Sequence, residues 1–293
     1  MHRIAITLSE SGMLSFARDA LADIPDTIDA LVHEGVLVEH AGRLRYFHDE
    51  YFNFVFARQH LLAGRATADL IRDDAQDIFR RGQVTAILAQ QRRSHVPSYE
   101  ADLRVVLDAS LTRSHLRAAV LAWLTDQPWT EDHELRLVSE LAVAPGDPLR
   151  RQALWTLCSR PFGFALHRHG LLTVAADVVR NDHAYVPGQL ADLIRGLDAN
   201  DCGVLLFETA RHMPEEVSAE LLPLAADPKI APLSVGVLLR SVFLSGPPAG
   251  TATAALFSMV TGTIADLAET QAAQQAGSGV TTVDDASDTV SAL

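Results

Sequence analysis

The chain is almost without lysine: Lys229 is the only one in 293 residues. A Walker A loop needs a lysine directly after a glycine-rich turn to reach the β- and γ-phosphates. Lys229 stands instead in Asp227-Pro228-Lys229-Ile230-Ala231-Pro232, where there is no such turn. A Gly-x-Gly-x-x-Gly fingerprint is missing too, and the glycine clusters Gly246-Pro247-Pro248-Ala249-Gly250 and Gly277-Ser278-Gly279 follow no strand pattern. These absences predict a chain that does not hydrolyse ATP by itself. Cysteine is scarce as well. Cys158 and Cys202 fall on separate expected helices without Cys-x-x-Cys spacing, which predicts neither a disulfide framework nor a zinc site and suits a reducing cytoplasm.

Long apolar runs are also lacking. The longest window, 233–244, contains Arg240 and stops at Gly246-Pro247-Pro248, short of the roughly 20 residues of a membrane span. The first ten residues carry one arginine and no cleavage-like site, so no signal peptide is expected. Aromatics make up only 6% while alanine and leucine abound, a balance that favours helix over sheet. No Gly-x-Ser-x-Gly elbow or cysteine motif marks a nucleophile, so no enzyme is predicted.

Hydrophobic residues reach 48% and mean hydropathy is +0.11, enough for an extensive core. The net charge is −13, which argues against wholesale attraction to nucleic acid or anionic lipid. Protein partners are expected; the oligomeric state stays open.

Residues 1–64 read as a winged helix. An amphipathic helix is expected over 13–24, and Pro25 then opens a second, 26–34, with Gly35 as its stop. Residues 35–39 and 43–47 read as two strands around a tight Ala41-Gly42 turn, and a helix over 49–62 closes the unit before Gly64. From residue 65 to 276 the pattern is helix after helix, broken by proline and glycine. Helices are expected at 66–93, 98–110, 113–127, after the Thr130-Glu131-Asp132-His133 cap, and at 149–159, 170–180, 187–197, 200–212, 215–225, 230–244 and 251–275. The fold class is therefore mainly α: a winged helix followed by an irregular α-solenoid of HEAT- or TPR-like helical pairs. No strict repeat can be aligned. Residues 277–293 are poor in large apolar side chains and read as a disordered tail.

The stretch Arg45-Tyr46-Phe47-His48-Asp49-Glu50-Tyr51-Phe52-Asn53-Phe54-Val55-Phe56-Ala57-Arg58 joins a short strand to an aromatic-rich helix through one histidine. It resembles the end of the winged-helix module in STAND-type NTPases of the NACHT kind. Asp77-Ile78-Phe79-Arg80-Arg81-Gly82-Gln83-Val84 resembles the segment directly after that module in some bacterial NACHT-like ATPases. The resemblance covers about residues 13–94. It implies that His48 touches the phosphates of ADP held by an NTPase domain, that Phe47, Tyr51, Phe52 and Phe56 form a switch joint, and that the chain is the non-catalytic regulatory part of a signalling ATPase. The chain itself holds no cofactor in this reading; ATP or ADP enters only with a supplied NTPase domain.

Each residue also has a plainer reading. His48 can instead be half-buried and tie the wing to the helix. A winged-helix transcription regulator with a helical effector domain, or a helical scaffold, are the alternatives for the whole chain. Residues 1–64 carry five arginines against nine acidic residues, a poor match for DNA phosphates. Arg72, Arg80, Arg81, Arg92 and Arg93 could bind an anionic partner, but Asp69, Asp73, Asp74 and Asp77 share the segment and favour a solvated, ion-paired face. His167 with His169, His33 with His40, and His48 beside Asp49 and Glu50 lack the geometry of a helical zinc site. Trp123, Trp129, Trp155, Phe162 and Phe164 are expected in the core.

Overall fold

The structure is a computed structural model that describes residues 15–72, 76–78, 80–94, 97–181 and 191–213, with 4–5, 8, 216–217, 220–221 and 224. The expected helices at 230–244 and 251–275, the Asp227-Pro228 cap and the tail at 277–293 lie outside the described residues. Of the expected helix at 215–225, Glu216, Val217, Glu220, Leu221 and Leu224 are described and helical.

The protein is mainly helical with one small sheet. Its chain begins with strand β1 (Phe16–Ala17) and a 3₁₀ turn (Arg18–Leu21), then helix α1 (Pro25–His33), strands β2 (Leu37–His40) and β3 (Arg43–Tyr46), and helix α2 (Asp49–Leu62). The later helices are α3 (Thr67–Arg72), α4 (Arg80–Arg93), α5 (Tyr99–Leu107), α6 (Ser114–Thr125), α7 (Asp132–Val143), α8 (Arg150–Leu157), α9 (Arg160–Arg168), α10 (Leu171–Asn181), α11 (Ala191–Gly196) and α12 (Ala199–His212). The three strands are antiparallel in the order β1-β3-β2. Ala41 (φ 50°) and Gly42 (φ 71°) are both left-handed, the backbone that a two-residue hairpin turn requires.

Three expectations change. The helix expected over 13–24 is, in its described part, a strand followed by a 3₁₀ turn. Phe16 pairs with Leu44 and buries its ring, so pairing with β3 overrides the helical pattern. The helix expected over 66–93 is two, α3 and α4. Asp77 takes the Arg80 amide at 3.1 Å and so starts α4, while Gln76 Nε2 donates to the carbonyls of Ile71 and Leu111, 2.8 Å each. Helix α9 was not expected at all; Pro161 in its first turn permits it.

The chain forms two compact units, Met1–Thr156 and Leu157–Leu293. Residues 1–64 lie in the first unit together with α3 to α7. Within it α2 packs on α4, α4 on α6, α3 on α5 and α5 on α7, so each helix meets the next but one. In the second unit α10 packs on α9, α11 and α12. Among the described residues, no helix is long and apolar enough to cross a membrane.

Candidate functional site

The junction between β3 and α2 is built from alternation. Leu44 and Tyr46 face inward and are buried, so Arg45 and Phe47 face out. The Phe47 amide still donates to the Val36 carbonyl at 3.0 Å, which extends the hairpin one residue past β3. His48 is extended (φ −120°, ψ 131°) and is the N-cap of α2; its carbonyl accepts the amides of Tyr51 (3.1 Å) and Phe52 (3.3 Å). Asp49 and Glu50 then occupy the first turn, where the helix dipole favours acidic groups.

The His48 ring is exposed, and its one described contact is edge-on to Phe47, with centroids 4.4 Å apart. It makes no side-chain cap bond, so it does not tie hairpin to helix. The four residues of the expected joint separate into two pairs. Phe52 (5% exposed) and Phe56 are core: Phe52 lies 5.7 Å from the Tyr46 ring and 6.4 Å from Phe56. Phe47 (59%) and Tyr51 (38%) lie outside, together with Phe54 (43%), whose ring stacks with Tyr51 at 6.5 Å. Burial drives the Tyr46 phenol well above its usual range, with Tyr51 adding to the effect.

A second histidine, His60, contrasts with His48. It is buried at the other end of α2, stacked on Phe56 at 5.9 Å, with Nε2 3.1 Å from the Ala66 carbonyl. Desolvation holds its pKa below the usual value, partly countered by the Ala66 bond. The sequence offered no signal for it beyond its place on the α2 core face, one turn after Phe56.

The basic segment forms the solvated face expected of it only in part. Arg80 and Arg92 are buried; Arg80 Nη1 donates to Gln83 at 2.8 Å. Arg92 Nε donates to Glu134 Oε1 at 2.6 Å and Nη2 to the Trp129 carbonyl at 2.6 Å, while its guanidinium lies 4.9 Å from the Trp129 ring centre. Tyr99 donates to the same carboxylate at 2.5 Å, and Glu134 also accepts the Glu131 amide at 2.8 Å. Arg81 and Arg93 are exposed. Asp73, Asp74 and the Arg72 side chain lie outside the described residues. Desolvated, fully engaged arginines are framework, not a patch for an anionic partner.

The expected aromatic core is also only partly core. Phe162 is buried and Trp123 half-buried, but Trp129, Trp155 and Phe164 are exposed. Burial raises the thiols of both cysteines, that of Cys202 to about 12, which leaves them un-ionised and unreactive. Among the described residues, no group of three His, Cys, Asp or Glu side chains is placed to hold a metal. His167 Nδ1 lies 3.7 Å from Glu220. No protein-family model, no curated protein and no solved structure matches this chain.

Proposed function

We propose that the chain is the regulatory part of a STAND-type, NACHT-like signalling ATPase. In this reading residues 1–64 are its winged helix, and the helices beyond are an irregular array of HEAT- or TPR-like pairs. It is non-catalytic, acts in the cytoplasm, and meets an NTPase domain that these 293 residues do not contain. The packing of α2, α3, α4 and α5 each on the next helix but one is in keeping with such an array.

The observation that carries the reading is the placement of His48. A histidine kept for folding spends its ring as His60 does, buried and bonded to a backbone carbonyl. His48 instead presents an exposed imidazole at the start of a 14-residue helix, in edge contact with the exposed ring of Phe47. An imidazole donor beside the amides of Asp49 and Glu50 fits a phosphate oxygen. The carboxylates of the same two residues oppose one, so the anion has to arrive with cations of its own. The isolated chain accordingly holds no nucleotide, and ADP is met in a complex.

The DNA-binding alternative has little support. Asp26, Asp29 and Glu34 are exposed along α1, the helix that would enter a groove, and Arg18 is engaged by Asp29 and Glu39. A helical scaffold without switching is what remains if the nucleotide link fails.

The test uses a NACHT-type NTPase domain loaded with a fluorescent ADP analogue, with and without the chain. The chain should slow release. His48→Ala should undo this by removing a charge-assisted contact of about 1.5 to 3 kcal/mol, roughly ten- to a hundredfold in retention. Release at an unchanged rate with the variant would end the nucleotide-sensing reading.

A further inference from the structure

Helix α2 has an outer face that the core does not use and of which the nucleotide reading touches only the first turn. Glu50, Phe54, Arg58 and Leu62 succeed one another four residues apart along one ridge, with Tyr51 beside them. All five are exposed, Phe54 to 43% and Leu62 to 71%, while Phe52 and Phe56 on the opposite side, and Val55 and Ala57 at the two flanks, are buried. Neither Glu50 nor Arg58 makes an ion pair among the described residues. A run of exposed large apolar side chains on one helix face marks an interaction surface.

The order of residues on this ridge names the partner. Counted from Phe54, Glu50 lies four residues before and Arg58 four after. The ridge is symmetric about Phe54 in position and opposite in charge. Two copies of the helix crossing antiparallel can align their four-residue ridges, the commonest class of helix packing. Glu50 of each copy then faces Arg58 of the other, and Phe54 faces its own copy. A parallel crossing would instead set Glu50 against Glu50 and Arg58 against Arg58. An unrelated helix would have no need of opposite charges placed evenly about Phe54, whereas a two-fold contact requires self-complementarity.

We infer that this face of α2 is where two copies of the chain pair, antiparallel, with the two-fold axis at Phe54. The pairing needs neither nucleotide nor an NTPase domain, so it stands whether or not that reading does. One helix crossing is a small contact, and the dimer is a reversible, concentration-dependent one.

Sedimentation velocity on the full chain, at concentrations rising to on the order of 100 μM, should show a monomer–dimer equilibrium. Phe54→Glu, which puts two carboxylates on the axis, should leave monomer. Glu50→Arg and Arg58→Glu should each weaken the dimer about tenfold, because each disrupts two symmetry-related pairs, and the double reversal should restore it. Phe54→Cys should give a disulfide-linked dimer on mild oxidation, since an axial residue meets itself; Cys158 and Cys202 are buried and do not compete. The charge reversals lie on exposed positions and leave the fold intact, so their comparison holds even if Phe54→Glu misfolds. A chain that stays monomeric throughout, a dimer indifferent to Phe54→Glu, or a double reversal no better than the singles would each overturn the inference.

Discussion

The hairpin–helix junction and the layer formed by α4 to α7 belong to one compact unit, yet different chemistry holds them. In the layer, two ion pairs are inside, beside others at its surface such as Arg104 with Glu140. Arg92 reaches Glu134 across 42 positions of sequence, and Arg117 reaches Asp147 across 30 at 2.5 Å, all four side chains being buried. At the junction, charges are outside, with Arg18 joined at the surface to Asp29 and Glu39, and large rings left half in solvent. A buried ion pair cannot lose one partner without stranding the other, so the layer admits one arrangement. The junction is closed by apolar contact on one side only. Its open side is where a partner can add contacts without undoing any.

The sharpest way to break this comparison is in the layer. Glu134→Ala strands the Arg92 guanidinium and the Tyr99 hydroxyl and should cost about 3 to 5 kcal/mol by urea denaturation. Replacing both partners with apolar residues, Arg92→Met with Glu134→Leu, should cost far less. If the single variant were as stable as the double, the layer would not be pinned by its ions.

On the core face of α2, Phe52→Ala should cost about 3 kcal/mol by cavity formation, whereas Phe54→Ala, on the outer face, should cost less than about 1 kcal/mol. Equal losses in thermal melts would erase the distinction between the two faces.

Titration of His60 gives a smaller effect with a definite sign. Its folded pKa is lowered by burial, so the unfolded chain takes up the proton first, from about pH 6.5 downward. Among charged groups, Arg65 adds to the lowering and Asp69 and Asp102 oppose it. Stability attached to His60 is therefore complete above about pH 6.5 and is lost as pH falls towards the folded pKa. The difference in unfolding free energy between wild type and His60→Gln should shrink over that range; a difference independent of pH would refute the assignment.

The smallest expected effect is at His48. Its ring has no described hydrogen bond, so His48→Ala in the isolated chain should change stability by no more than about 0.5 kcal/mol. A larger loss in the same melts would make it a structural residue like His60.

Which features could be read from the chain depended on the range of the interactions behind them. The hairpin and its flanking helices were legible because their signals are local: Pro25 opens α1, Gly35, Gly42 and Gly64 take positive φ at 71°, 71° and 65°, and alternation about Leu44 and Tyr46 sets the inward face. His48 was found for the same reason, since it sits where one local pattern gives way to another. Strand β1 was not legible. Two residues show no period, and only the antiparallel partner β3 makes them a strand. The division of the joint aromatics was only partly legible: helical spacing separates Phe52 and Phe56 from Tyr51 and Phe54, but Phe47 lies before the helix and is exposed because of how β3 enters it.

By itself the sequence determined the mainly helical character, the hairpin and the position of its histidine, because propensity, turn chemistry and capping act within a few residues. Only the tertiary structure decided which arginines are framework, which rings stay in solvent and which histidine is buried. Those outcomes depend on desolvation, and a side chain is desolvated by neighbours that can stand 42 positions away, as Glu134 does from Arg92.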